Sequence, residues 1–176
     1  MRKLFVLVIM TSIAVLFSLS VREASAERVL TDKQITTITN TCQPIQAELD
    51  LLHSSDALLR VNIGQRYENI MTSLMSPLNS RLTINQVDTV DVVKTSVDYS
   101  DALTEFRKDY IAYEKAVKKA IDMDCQEKPV EFYTTIELAR VNRTALQGGV
   151  KRLNTLLLSF QKDFRATRVE WRKNNE

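Results

Sequence analysis

The stretch that decides the fold is residues 77–88, PLNSRLTINQVD, in which a polar connection at residues 79–88 follows Pro77. Helical patterns flank this connection, and the two cysteines of the chain, Cys42 and Cys125, lie at nearly equal distances from its centre. If the flanking helices fold back on each other here, both cysteines reach the same level of an antiparallel hairpin. We therefore predict a Cys42–Cys125 disulfide, which an exported chain can form.

A long helix A is predicted before the connection. Thr31 and Gln34 fit a capping box, with the Thr31 hydroxyl at the N-cap and the Gln34 side chain at position N3. Pro44 predicts a kink near residues 40–42 or a short separate first helix, and Pro77 is expected to end the helix or to kink its last turn. Beyond the cap, the apolar positions step by three and four along the seam Ile35, Ile38, Cys42, Ile45, Leu49, Leu52, Leu59 and Ile63, with Asp56 as its polar member.

Two further helices are predicted after the connection. Helix B is expected from about residue 87 to residue 123, and helix C begins near Pro129, which suits a first helical turn. Three glycines and three prolines are few, and this composition argues against a sandwich or barrel. We predict an all-α fold, an up-down-up antiparallel three-helix bundle that forms a long coiled-coil-like rod with one disulfide. Long helices that assemble only as an oligomeric coiled coil are the alternative.

The N-terminus has the pattern of a secretory signal. A basic start at residues 1–3 precedes an apolar run at residues 4–21 and the sequence Ala24-Ser25-Ala26, so residues 1–26 are predicted to be a signal peptide cleaved after Ala26. The alternative is an uncleaved anchor that spans the membrane with residues 4–21. Residues 27–176 are predicted to be a single helical-bundle domain. We expect a secreted or extracytoplasmic protein, or else one held at the membrane by its N-terminal segment.

Net charge gives no argument for a nucleic-acid partner. Removing residues 1–26 takes away Arg2, Lys3, Arg22 and Glu23, which turns the net charge of +2 into zero. No catalytic group, metal or cofactor is predicted, because the lone histidine, His53, cannot supply a metal site or a catalytic pair by itself.

One polar layer is expected inside the predicted bundle. Hairpin geometry places Asp56 of helix A at the level of Arg143 of helix C, with Tyr110 and Tyr113 of helix B beside them. Each charge alone would be costly in an apolar seam, so we expect the two to pair, with the tyrosine hydroxyls completing the hydrogen bonds. A structural layer that sets the register is the first interpretation, and a functional site is the second. Because Arg143 is expected to be buried, the glycosylation pattern Asn142-Arg143-Thr144 is discounted.

The same geometry places all three glycines, Gly64, Gly148 and Gly149, near Phe106. Glycine within a helix costs about 1 kcal/mol relative to alanine, so the cluster needs an explanation. Either the Phe106 ring needs the space, or the glycines form a flexible waist.

The end of helix C carries a basic stretch that is a candidate contact with an anionic surface such as lipid or wall polymer. This end is expected near Arg81 and the first connection, where Asp88 and Asp91 offer internal neutralisation as the alternative. The basic residues are Lys162, Arg165, Arg168, Arg172 and Lys173.

Four segments together resemble a set of small exported helical proteins of reduced-genome, episymbiotic bacteria. They are residues 30–34, LTDKQ; residues 42–45, CQPI; residues 77–81, PLNSR; and residues 125–133, CQEKPVEFY. The resemblance covers most of the mature chain. It implies export and a disulfide, and it implies no mechanism.

The expected function is that of a non-enzymatic exported protein, a cell-surface or extracellular interaction or scaffold module that uses its helix faces. One alternative is a periplasmic-type chaperone or envelope-stress protein, and another is a small metal-binding or enzymatic bundle. The expected partner is an unknown protein or a component of the cell envelope. A homodimer is also expected if an apolar strip along residues 67–78 is exposed.

Overall fold

The computed structural model describes residues 30–55 and 57–175, apart from the side chains of Leu58 and Leu59. Every regular element in these residues is helical, which confirms the all-α prediction. The predicted signal at residues 1–26 and Asp56 lie outside the described residues. The elements are α1 (Asp32–Ser55), α2 (Ala57–Asn69), a π-helical segment (Ile70–Met75), α3 (Ser76–Ile84), α4 (Val90–Asp122) and α5 (Pro129–Asn175).

The start of α1 is the predicted capping box. The Thr31 backbone N–H donates to Gln34 Oε1 over 2.9 Å, and the Gln34 backbone N–H donates to Thr31 Oγ1 over 3.4 Å. The helix then continues through Pro44, so the predicted separate first helix does not form. Pro44 is exposed, so water can reach the carbonyl that the proline ring leaves without a backbone donor.

The chain is helical without interruption from Ala57 through Pro77 to Ile84, so the prediction that Pro77 ends a helix is wrong. Pro77 lies in the first turn of α3, where a missing backbone N–H costs little. The π-helical segment precedes it, and there the Ser76 N–H bonds to the Met71 carbonyl, five residues back. This wider spacing resets the hydrogen-bond ladder immediately before the proline, so the chain stays helical to Ile84.

The connection between α3 and α4 is residues 85–89, shorter and later than the predicted residues 79–88. The Gln86 N–H bonds to the Thr83 carbonyl and the Val87 N–H to the Leu82 carbonyl, both over 3.1 Å. This is the Schellman pattern that closes a helix C-terminus, and it requires a left-handed residue, usually glycine. Gln86 takes that position with φ of 54°.

Helices α4 and α5 run antiparallel and contact each other along their length. Thr95 near the start of α4 donates its hydroxyl to Asp163 Oδ2 over 2.7 Å, late in α5. Asn142, early in α5, donates its amide to the Ala112 carbonyl of α4 over 3.1 Å. Residue numbers thus rise along one helix as they fall along the other.

The first helical segments run antiparallel to α4 as well. Cys42 and Cys125 form the predicted disulfide, with their Cα atoms 6.0 Å apart and relative exposures of 0% and 2%. Much farther along, the Tyr99 hydroxyl donates to the Tyr67 carbonyl over 3.2 Å. Closing a loop across a sequence separation of 83 is worth about 4 kcal/mol in the chain-entropy view of disulfides.

Gln46 holds the end of α4 beside the disulfide. Its side-chain amide donates to the Ala120 carbonyl over 2.8 Å and to the Met123 carbonyl over 2.7 Å. These carbonyls belong to the last turn of α4 and its exit, where no further helical N–H is available. A residue of α1 therefore caps another helix.

The main apolar core is formed by side chains of residues 67–75, of the first half of α4 and of the second half of α5. Tyr99 is at its centre with 0% exposure, and burial raises the pKa of its hydroxyl to about 12. A smaller cluster surrounds the disulfide and includes Ala120 and Phe132. The buried members of the main cluster are Tyr67, Met75, Val92, Tyr99, Ala102, Leu103, Phe106, Leu153 and Phe160.

Of the three glycines, Gly149 is the one that contacts Phe106. A Cβ atom added at Gly149 would lie 3.6 Å from the Phe106 side chain, which is ordinary contact, and one added at Gly64 or Gly148 would meet open space. The Phe106 ring therefore does not require glycine at any of the three positions, so the steric interpretation is wrong.

Candidate functional site

A cleft of about 700 Å³ opens beside the middle of the chain, and we call it the central cleft. Helices α1, α2, α4 and α5 each contribute to its walls, which are mostly aliphatic with basic groups among them. Its lining residues are Leu49, Leu52, His53, Arg60, Ile63, Tyr113, Val117, Arg143, Leu146, Gln147, Val150 and Lys151.

A small ionic cluster links the two sides of the cleft near its α1 end. His53 Nε2 lies 2.8 Å from Glu114 Oε2, and Arg60 Nε lies 3.1 Å from Glu114 Oε1. Arg60 also donates through Nη2 to the His53 carbonyl. All three side chains are largely buried, and Glu114 of α4 contacts both α1 and α2. Sequence reasoning missed this cluster because its acid lies about sixty residues from its basic partners.

The predicted polar layer takes a different form around the cleft. Arg143 is exposed, so the expectation that it is buried in a seam is wrong. The cleft opens where the seam was expected to close, and the guanidinium therefore reaches water. Tyr113 lines the cleft, whereas Tyr110 stacks on Phe106 with ring centroids 6.5 Å apart. Because Asp56 lies outside the described residues, its pairing with Arg143 stays a prediction.

The glycosylation pattern at Asn142 is disfavoured for a reason other than the one predicted. Its amide nitrogen, the atom that would carry the sugar, donates to the Ala112 carbonyl. The side chain is half-buried between α5 and α4. A glycan attached to this nitrogen would leave it one hydrogen and would have to fit between the two helices.

The five residues of the predicted basic stretch are all exposed at the end opposite the disulfide. Among residues 30–55 and 57–175, none of the five forms an ion pair. Asp88 and Asp91 therefore make no direct contact that neutralises them, and Asp163 accepts a hydrogen bond from Thr95 instead. We call this end the distal surface and define it by Lys162, Arg165, Arg168, Trp171, Arg172 and Lys173.

A groove of about 470 Å³ crosses the distal surface. Arg81 of α3 and Arg168 of α5 both line it, which brings the first connection and the basic stretch together. Trp171, the single tryptophan of the chain, also lines the groove and is 49% exposed. The distal surface thus combines cationic side chains with an accessible aromatic ring.

The basic residues at the disulfide end are in a different situation. Lys118 Nζ lies 2.8 Å from Asp122 Oδ2, and Lys119 Nζ lies 2.8 Å from Glu131 Oε1. The hydrogen bond and the charge of Lys119 lower the pKa of the Glu131 carboxyl. Lys118 and Lys119 are therefore paired with carboxylates, whereas the basic residues of the distal surface have no ion-pair partner in the described part of the chain.

Most of the apolar side chains in residues 67–78, whose exposure would have favoured a homodimer, are covered. Tyr67 and Met75 are buried, and Ile70 and Leu78 pack partly against the main core. Leu74 is the exposed exception, at 49%. One leucine is a small surface for self-association, so this strip gives little support to a homodimer.

None of the helices in the described residues is both long enough and apolar enough to cross a membrane. No group of three or more histidine, cysteine, aspartate or glutamate side chains is gathered there as a metal site would require. Comparison with protein-family models, with curated proteins and with solved structures finds no match to this chain.

Proposed function

We propose that this protein is an exported, non-enzymatic interaction module that binds an anionic component of the cell envelope through its distal surface. In this proposal residues 1–26 direct export, and residues 27–176 form an up-down-up three-helix bundle. The disulfide holds one end of the bundle, and the other end makes the contact. The resemblance to small exported helical proteins supports the same compartment.

The observation that carries the proposal is the unpaired positive charge around Trp171. Lysine and arginine side chains near an anionic lipid surface contribute about 1 kcal/mol each, and tryptophan favours the interface between water and lipid. Arg165, Arg168 and Arg172 recur at intervals of three and four residues, so they share one side of α5. A flat anionic surface can contact all three at once.

Export is supported by the disulfide. A buried Cys42–Cys125 bond is compatible with an oxidising compartment outside the cytoplasm. Sequencing the N-terminus of the protein recovered from cells would test the proposed cleavage after Ala26. A protein that begins at Met1 and remains in the membrane fraction would favour the anchored alternative.

The proposed contact can be measured with Trp171 as an internal probe. Vesicles of phosphatidylglycerol should shift its fluorescence to shorter wavelength, and vesicles of phosphatidylcholine should not. Changing Arg165, Arg168 and Arg172 to glutamine removes about 3 kcal/mol of attraction, which is about a hundredfold in binding. The matched control replaces Lys115, Lys118 and Lys119 with glutamine at the disulfide end. Equal loss in both variants, or no binding of the unmodified protein, would refute the proposed surface.

A chaperone role is the second candidate, and the central cleft is the observation that favours it. Such a protein needs an accessible apolar surface for unfolded chains, and the cleft offers one with exposed Leu52 on its wall. Suppression of the aggregation of a reduced test protein would support this role. The change Leu52→Glu should then abolish the suppression, and the distal arginine changes should leave it intact.

A further inference from the structure

We propose that the central cleft is a binding site for a single-chain fatty acid, with the acyl chain against the aliphatic wall and the carboxylate held by basic residues of α5. This site is separate from the distal surface, so either one can fail without the other.

The cleft has the lining that an acyl chain requires. Six aliphatic side chains form its walls and offer no hydrogen-bonding group over most of its length. Its volume of about 700 Å³ falls within the range of sites for small molecules. Leu52 on α1 is 61% exposed, so apolar surface remains in water when the cleft is empty. The six side chains are Leu49, Leu52, Ile63, Val117, Leu146 and Val150.

The charge of the cleft selects an anionic ligand. Arg60 is already paired with Glu114, but Arg143 and Lys151 have no ion-pair partner within the described parts of the chain. No carboxylate lines the cleft there. Arg143 and Lys151 lie eight residues apart on α5, which is about 12 Å along the helix. These two cations beside an aliphatic wall complement a carboxylate with a long apolar tail. A ligand carboxylate at Arg143 and the predicted Asp56–Arg143 pair exclude each other.

The position of the polar groups places the carboxylate at the Arg143 end. The contact between Asn142 and the Ala112 carbonyl brings Arg143 and Tyr113 to the same level of α5 and α4. A guanidinium can hold a carboxylate through two hydrogen bonds, and a tyrosine hydroxyl can donate one more. From there the aliphatic wall continues past Leu146 and Val150, and Lys151 adds attraction from the far side.

Calorimetric titration of the mature protein with dodecanoate tests the proposal. Dodecanol has the same chain length without charge and should bind at least tenfold more weakly. Hexanoate has six fewer methylene groups and should bind at least a hundredfold more weakly, because each buried methylene contributes to affinity. Failure of dodecanoate to bind, or equal binding of dodecanol, would overturn the proposal.

Matched variants locate the site. The double change Arg143→Gln with Lys151→Gln should weaken dodecanoate binding at least tenfold and leave dodecanol binding nearly unchanged. The control is Arg140→Gln with Arg152→Gln, which makes the same charge change at exposed positions of α5 outside the cleft. All four side chains are exposed, so the fold should tolerate each change. Equal losses in the two double variants would show that only general charge matters, and the site would be rejected.

A second pair of variants tests the opposite wall. Leu52→Glu puts a repelling carboxylate into the cleft, whereas Leu51→Glu puts one on the neighbouring residue, which is 67% exposed and lies outside it. Dodecanoate binding should fall sharply in the first variant alone. The alternative occupant of the cleft is a second copy of the chain, and analytical ultracentrifugation would detect the resulting dimer. A dimer that Leu52→Glu dissociates, with no binding of dodecanoate, would overturn the fatty-acid proposal.

Discussion

Replacing Tyr99 with phenylalanine should destabilise the protein at pH 7. At pH 11 the same replacement should leave the stability unchanged or raise it slightly. Tyr99 is fully buried, and its hydroxyl makes one hydrogen bond, to the Tyr67 carbonyl. Removing that hydroxyl takes one hydrogen-bond donor from the Tyr67 carbonyl, which costs about 1 kcal/mol at pH 7. Phenylalanine keeps the ring and its packing, so no cavity adds to this cost.

The pKa of Tyr99 sets the alkaline part of the effect. It is raised to about 12 in the folded protein from 10.0 in the unfolded chain, chiefly by burial. Because the unfolded chain loses the proton first, the native protein is destabilised as the pH rises above 10, and this continues until about pH 12. At pH 11 the loss is about 1.4 kcal/mol, the equivalent of one pKa unit. The Tyr99→Phe variant has no proton to lose and escapes this destabilisation.

The assay is urea unfolding of both proteins at pH 7 and at pH 11. We expect the unmodified protein to be more stable by about 1 kcal/mol at pH 7, and the variant to be equal or slightly more stable at pH 11. Tyr110→Phe is the control, because Tyr110 is only half-buried and stacks through its ring. The free energies of unfolding of the Tyr99→Phe variant and the unmodified protein are compared at both pH values. If their difference is the same at pH 7 and at pH 11, the burial of the Tyr99 hydroxyl is refuted.

Three further changes test local structure, each by urea unfolding. Gln46→Glu should lower the free energy of unfolding by about 2 kcal/mol, because a carboxylate cannot donate to the carbonyls of α4 and repels them. The control, Gln43→Glu on the exposed side of α1, should cost little. Equal costs would show that Gln46 does not cap α4. Gln86→Gly should stabilise by about 0.5 kcal/mol, since glycine takes the left-handed conformation without strain. Gly148→Ala should stabilise by about 1 kcal/mol, because the added methyl group meets open space; a loss would mean that α5 needs flexibility there.

The features that sequence reasoning predicted correctly depend on local signals or on simple geometry. The capping box at Thr31 is a four-residue pattern, and the start of α5 at Pro129 follows from proline chemistry alone. The disulfide was found because two helices joined by a short turn bring residues equidistant from it to the same level. Repeating apolar positions were enough to predict that the described residues are helical.

The features that were missed depend on contacts between distant residues. The π-helical segment leaves no mark in the apolar pattern, so Pro77 was predicted to end a helix that continues to Ile84. Gln86 occupies a position where glycine is the usual signal, and the connection was therefore predicted too early. Arg143 lines the central cleft, whereas a regular seam predicts that it is covered by the neighbouring helices. No local sequence pattern predicts the contact between His53 and Glu114, which lie in different helices.

The position of the disulfide also determines how the folded protein responds to a pulling force. If the chain is stretched between residue 31 and residue 175, the disulfide from Cys42 to Cys125 bears the force, and residues 43–124 bear none. A sequence separation of 83 corresponds to about 280 Å of extended chain that tension cannot release. Only residues 31–41 and the chain after Cys125 can lengthen, so the extension comes from the start of α1 and from α5. A protein held by its two ends would therefore extend to a limited length under force. Reduction of the disulfide would more than double that maximum length.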